Sequence, residues 1–285
     1  MAADYETNVW AFYRYEPSMV AAVIFILLFS VSTSLHMYQL IRTRTLYFIP
    51  FLIGGFLESI GYVGRALSST QTPDWTLSPY IMQAMALLIA PALFAASIYM
   101  SLGRIILLVD GEAHSIIRKK WLTKVFVTGD VLSFCMQSAG GGIMAAGTLD
   151  AMERGEKIVI GGLFLQIIFF GFFVVTTVIF HYRLNKVPTT RSKETDVPWR
   201  QHMLALYGTS FLILFRSIFR VVEYLQGNDG YLLRKEVFLY IFDAIPMLVV
   251  MLWFNWVHPS QIKAALRGGK WINAGYRLQD MEMLR

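Results

Sequence analysis

The sequence holds a single cysteine, Cys135, and no Asn-x-Ser/Thr sequon, which excludes an intrachain disulfide and an N-linked glycan. Charge is scarce as well: Asp, Glu, Lys and Arg make up 15% of 285 residues, against roughly 25% in soluble domains. No polar stretch is long enough to bury a soluble core of its own. There is no Gly-x-x-x-x-Gly-Lys-Ser/Thr phosphate loop, and Gly268-Gly269-Lys270-Trp271 is only superficially like one. A Gly-x-Ser-x-Gly elbow and a kinase signature are also missing, so no catalytic residue is assigned, no cofactor is expected and the chain is not read as an enzyme. The net charge of +6 has no basic, aromatic-bearing soluble surface to sit on, which excludes nucleic acid as a partner. Residues 1–16 lack a basic region ahead of the first apolar run, so they do not form a cleaved secretory signal.

What the sequence does contain is apolar: 56% of it is hydrophobic. Runs of at least about 18 such residues, the length needed to cross a bilayer, recur at 17–41, 47–68, 79–109, 122–147, 157–182, 203–226 and 236–257. These predict an all-α polytopic membrane protein with seven transmembrane helices in one domain, residues 17–258. Residues 1–16 and 259–285 are its two tails. Lys and Arg fall fifteen to five on the side holding the odd-numbered loops and the C-terminal tail. By the positive-inside rule the N-terminus lies outside and the C-terminus in the cytoplasm.

The sixth run carries Arg216, Arg220 and Glu223 at i, i+4, i+7, so all three share one helical face. A central charge costs about 2.5 to 3.5 kcal/mol on insertion, and each Leu, Ile, Phe or Val returns only roughly 0.3 to 0.6. The stripe must therefore turn inward to polar partners. The second run offers Glu58, Tyr62 and Arg65 at the same spacing, the third Gln83, the fourth Asp130 and Gln137, the fifth Gln166, and the seventh Glu236, Tyr240 and Asp243. Across these stripes Glu58, Asp130, Glu223, Glu236 and Asp243 outnumber Arg65, Arg216 and Arg220, five acids to three bases. Buried ionisable groups of this kind mark a substrate or ion pathway, so the stripes predict a slightly acidic polar cavity biased toward the outer half of the membrane. Arg216 or Arg220 pairs with Asp243 or Glu58; the sequence does not choose among these.

Two further features bear on function. Pro91 interrupts the long third run and either kinks its helix or breaks it beside a cavity. His36, His181 and His258 end the first, fifth and seventh runs, and a three-histidine metal centre would suit a membrane hydrolase. No His-x-x-x-His or Glu-x-x-His spacing supports it, so helix-terminal caps are the preferred reading and no metal is assigned.

A set of ordered motifs spans residues 15–260. It comprises Tyr15-Glu16-Pro17-Ser18, His36 with Gln39, Glu58-Ser59-Ile60-Gly61-Tyr62-Val63-Gly64-Arg65, Pro79-Tyr80 with Gln83, Ala90-Pro91, Tyr99 and Gly103-Arg104. Asp130 with Gln137, Arg216 through Glu223, Glu236 with Tyr240 and Asp243, and His258-Pro259 complete it. In these the chain resembles the fungal lipid-translocating exporters, seven-helix proteins that include aminocholesterol-resistance proteins and a sphingoid long-chain-base exporter. The resemblance implies movement or export of an amphipathic lipid, or resistance to toxic amphiphiles, in the plasma membrane or an organelle membrane. Its partners would be membrane lipids and an amphipathic small molecule, with the oligomeric state left open. A seven-helix lipid receptor or sensor is the first alternative, a zinc-dependent lipid hydrolase the second.

Overall fold

Inside a bilayer every backbone polar group must be satisfied by the chain itself, which leaves helices as the natural solution for apolar runs of this length. The computed structural model describes residues 13–144, 148–194, 199–227 and 230–266, and among them it is all helical with no strand. The long helices are α1 (Met19–Thr43), α2 (Ile49–Thr70), α3 (Leu77–Leu108), α4 (Lys119–Met144) and α5 (Leu149–Lys186). After the short α6 (Thr190–Glu194) come α7 (Trp199–Leu225), α8 (Glu236–Leu239), a π-helical turn Tyr240–Ala244, α9 (Ile245–Trp256) and α10 (Ser260–Leu266). Positions 1–12, 145–147, 195–198, 228–229 and 267–285, which include the end of the fourth predicted run and most of both predicted tails, lie outside the described residues.

Among the described residues six segments are long and apolar enough to cross a membrane: α1, residues 46–70, α3, most of α5, α7 and residues 236–266. The 25 residues of α1 extend about 37 Å at about 1.5 Å per residue. At 26 residues α4 matches that length, but Asp130, Gln137 and the run Gly140-Gly141-Gly142 dilute its hydropathy. The helix α5 exceeds the predicted 157–182 at both ends. Thr148 caps its start by accepting from the Ala151 amide at 3.2 Å, and Lys157 reaches Glu153 at 2.7 Å one turn on, so its polar first turns hold together outside an apolar environment.

Sequential helices pack side by side: α1 on α2, α2 on α3, α3 on α4, α4 on α5, α5 on α7, α7 on α9, and α9 back on α1. The ring is filled by α3, which also touches α7 and α10 and stays one continuous helix through Pro91. Lipid tails are as apolar as leucine, so helices here associate through close contact rather than exclusion from water. Gly64 shows the closeness at the α2–α3 seam, where an added Cβ would lie 2.9 Å from both the Gln83 nitrogen and the Pro79 oxygen. The outer faces carry Val20, Leu27, Val31, Leu204, Phe211 and Trp256, all exposed and apolar, as a lipid-facing surface requires.

Candidate functional site

Arg65, near the end of α2, is fully buried, and its partners come from both ends of the chain, Tyr13–Tyr15 and Glu236–Tyr240. Its Nη2 donates to Glu236 Oε1 at 2.8 Å and to the Tyr15 hydroxyl at 2.7 Å, and its Nε donates to the Tyr240 hydroxyl at 3.1 Å. The rings of Tyr13, Tyr15 and Tyr240 surround the guanidinium with centroids 5.8, 5.4 and 5.4 Å away, in the range where an aromatic face attracts a cation. Glu236 also accepts the Ser18 backbone amide at 2.9 Å, which fixes the entry of α1. The Tyr13 hydroxyl donates to Gln83 at 2.8 Å, and its ring meets Trp75 and Tyr80 edge-on. The segment from Tyr13 to Ser18 is thus a strap across this end of the bundle. Burial raises the pKa of both strap tyrosines above the ordinary tyrosine value, so both dock as neutral phenols.

Arg216 on α7 grips both oxygens of Asp243, and each side chain is 3% exposed. The pairing depends on the π-helical turn at Tyr240–Ala244, because the extra residue in that turn resets the face on which Asp243 emerges from an otherwise apolar helix. Arg216 also donates from Nη2 to the Leu87 carbonyl on α3 at 2.7 Å. In an unbroken helix Leu87 would receive the amide of residue 91, and residue 91 is a proline without one. The guanidinium therefore takes the place of the missing backbone donor. This is why α3 runs through Pro91 unbroken.

The remaining predicted pairings differ from the sequence expectation. Arg220 finds its acid on its own helix, Glu223 at 2.6 Å, rather than Asp243 or Glu58. Glu58 is 1% exposed and its Oε1 has no hydrogen-bond partner, nor has the Tyr62 hydroxyl one turn later. Asp130 accepts from the Tyr99 hydroxyl at 2.9 Å, and Gln137 donates to Gln166 at 3.1 Å. These two contacts join α3, α4 and α5 away from the arginines.

A cavity of about 160 Å³ opens between the strap, α2, α3, α5, α7, Gly227 and the segment holding Leu232, Leu233 and Lys235. Of the predicted residues, Arg65, Gln83, Arg220, Glu223 and Asp243 line it, whereas Tyr62, Arg216, Glu236 and Tyr240 do not. Its lining holds four cations, Arg14, Arg65, Arg220 and Lys235, against three carboxylates, Glu156, Glu223 and Asp243. The expected acidic balance is not found there, because Glu58 and Asp130 lie elsewhere and the strap and connection bring in Arg14 and Lys235. Glu156 is the notable addition. No hydrogen bond or ion pair among the described residues involves it, so its carboxylate faces the cavity uncommitted. Sequence reasoning named Tyr15 and Tyr80 only as parts of ordered motifs and did not assign Tyr13, Glu156 or Tyr224 to the site, because each lies in a tail or at a helix end rather than in a polar stripe.

The histidines divide in the same way. His36 and His258 are neighbours, with ring centroids 6.3 Å apart, and His36 donates to the Met251 carbonyl at 3.0 Å. His181 lies on α5 against the Tyr207 hydroxyl at 3.0 Å and the ring of Trp199. Among the described residues no three His, Cys, Asp or Glu side chains are grouped to hold a metal, so the three-histidine centre is not assembled. The reason is that α1 and α9 are adjacent, whereas His181 packs against α7.

The profile of the RTA1-like protein family matches residues 51–265. Protein RTA1 of Saccharomyces cerevisiae is 38% identical over 85% of this chain and 83% of its own length. Protoporphyrin uptake protein 1 of the same species is 36% identical over 85% and 90%. The sphingoid long-chain base transporter RSB1, also from S. cerevisiae, is 24% identical over 86% and 72%. No solved structure matches the chain.

Proposed function

The chain belongs to the RTA1-like family of multi-pass integral membrane proteins, and from that premise we propose that it is a lipid translocase or exporter for a single-chain amphiphile with an amine and hydroxyl head, such as a sphingoid long-chain base. All seven long segments span the membrane in this reading, with α4 as the seventh. The strap faces outside and the end of α10 faces the cytoplasm, as the distribution of Lys and Arg requires.

The observation that carries the proposal is the mixed-charge cavity with one uncommitted carboxylate. At about 160 Å³ it falls short of the roughly 300 Å³ at which pockets begin to engulf a drug-sized ligand. It fits a headgroup, and the acyl chain stays among the exposed apolar faces of the helices. An ammonium entering there would meet Glu156, while Arg220 pairs with Glu223 and Tyr80 and Tyr224 line the site. The Tyr13–Ser18 strap closes the cavity from outside and would lift for release. Export of such an amphiphile would confer resistance to it.

The four cations of the lining favour a second substrate class, an amphiphile bearing carboxylates, of which the porphyrin in one relative's name is an example. Proteoliposomes carrying the purified chain and labelled sphingoid base or labelled porphyrin discriminate between them. Flux of sphingoid base that falls about tenfold in Glu156→Gln supports the amine reading; flux of porphyrin alone supports the second. Rates equal to protein-free liposomes for both, with ligand-dependent thermal stabilisation, would leave a lipid sensor instead.

A further inference from the structure

Among the acids of the polar stripes Glu58 stands apart. Glu236 meets Arg65, Asp243 meets Arg216, Glu223 meets Arg220, and Asp130 accepts from the Tyr99 hydroxyl. Glu58 is 1% exposed, enters no ion pair among the described residues, and its Oε1 accepts no hydrogen bond. Its packing is largely neutral. Toward α1, Ser30 donates to the Ser59 hydroxyl at 3.4 Å, and Gly55 abuts Thr33 of α1 and Met251 of α9. His36 of α1 lies about a turn beyond that level and is turned to the Met251 carbonyl. Toward α3, Gly54 and Gly61 on either side of Glu58 abut the side chains of Phe94 and Leu87. The charged groups whose fields reach Glu58 are Asp243 of the π-helical turn and Arg216 of α7. On its own helix the titratable neighbour is Tyr62, whose hydroxyl is also buried without a partner and which packs in turn on Tyr240.

The three arginine–carboxylate pairs are each neutral. An ionised Glu58 would add one unpaired negative charge away from water, which costs far more than burying the neutral acid. A cation arriving nearby changes that comparison, because positive charge favours the ionised form of an acid. Asp243 lines the cavity and Arg216 does not, so an incoming ammonium meets the acid rather than its arginine. Ammonium and Arg216 then share one carboxylate, and loss of a proton from Glu58 restores neutrality. We propose that Glu58 is the proton site of an amine–proton exchange, giving up one proton for each ammonium seated against Asp243. The Glu58 O–H bond breaks, its electron pair stays on the carboxylate, and the proton leaves through the cavity to the medium. The Tyr62 hydroxyl stands on that route, one turn from Glu58 and one turn from Arg65, which lines the cavity. This exchange rests on the amine reading of the cavity and gives it a source of energy. An acidic exterior would return the proton to Glu58 and expel the amine.

The full chain in phosphatidylcholine nanodiscs, titrated with dodecyltrimethylammonium in a calorimeter, tests the exchange, because a quaternary amine cannot itself gain or lose a proton. Releasing one proton per bound cation makes affinity rise about tenfold per pH unit between about pH 6 and 8. Wild type should show that slope, and an indicator dye in weak buffer should read about one proton per cation bound. Glu58→Gln, nearly the same size, should flatten the slope to within about twofold across that range and release no proton, with its melting temperature measured alongside. Glu58→Asp should restore the slope. Glu156→Gln removes the uncommitted acid of the cavity and should weaken binding while keeping the slope; a slope lost there would move the proton site to Glu156 and overturn this one. Binding without a slope in wild type, or a slope that persists in folded Glu58→Gln, would overturn the proton site and leave the amine cavity standing. No binding of the cation to wild type would overturn the amine reading and the exchange with it.

Discussion

The two ends of the bundle treat positive charge in opposite ways. At the strap end Arg65, Arg216 and Arg220 each meet a carboxylate, respectively Glu236, Asp243 and Glu223. At the other end Arg104 meets a tyrosine ring and Lys263 meets backbone carbonyls. A buried ion pair is a commitment that fails badly when one partner is lost. The strap end is tied together by ion pairs, the other end by a ring and by backbone carbonyls.

The largest effect expected from this contrast comes from breaking one pair. Arg216→Gln leaves Asp243 buried without its partner and the Leu87 carbonyl without its donor, and should cost about 3 to 5 kcal/mol in unfolding measured in detergent. Arg104→Gln should cost only about 0.5 to 1 kcal/mol, the worth of one partly exposed cation–ring contact. Equal losses in the two variants would erase the distinction. The double variant Arg216→Met/Asp243→Leu sharpens it further: stability near wild type with lost flux would show that the pair serves transport, and retained flux would show that it only locks the helices.

Glycine substitutions probe the same contrast through packing. Gly64→Ala drives a Cβ into α3 backbone at the paired end and should cost about 1 to 3 kcal/mol. Gly103, beside Arg104, has nothing within 4 Å of the corresponding position. Gly103→Ala should therefore stabilise α3 by up to about 1 kcal/mol through helix propensity, read as a rise in melting temperature.

The smallest effect is a pH dependence confined to the strap. Burial raises the Tyr13 and Tyr15 pKa values, so docking of the strap is fully supported below about pH 10, the unfolded tyrosine value, and is lost as pH climbs through the raised ones. Tyrosinate absorbance of wild type minus Tyr13→Phe/Tyr15→Phe should show two hydroxyls titrating late. Ordinary titration of that pair would mean that the strap does not stay docked.

Much of this was legible in the sequence, and the misses have physical causes. Apolar run length placed the long helices within a few residues, apart from α5, whose polar first turns carry no hydrophobic signal. The i, i+4, i+7 stripe at Arg216, Arg220 and Glu223 required buried partners, and it has them. Which partner each took was not legible, because a five-residue π-helical turn reset the face of Asp243 and because Glu223 was close enough on its own helix to satisfy Arg220. The cavity's charge balance was misjudged for a related reason. Stripes inside helices are visible as spacing, whereas Tyr13, Arg14, Glu156 and Lys235 reach the cavity from a tail, a helix start and a connection.

The sequence by itself determined that the chain is helical, that it lies in a membrane, and that its charges must turn inward, since each follows from the cost of exposing backbone or charge to hydrocarbon. Only the tertiary structure decided that Arg216 supplies the hydrogen bond Pro91 cannot, and that Arg44, Arg104 and Lys263 line one pocket at the end of the bundle opposite the strap. Those outcomes depend on distances between helices far apart in sequence, which no local pattern of residues encodes.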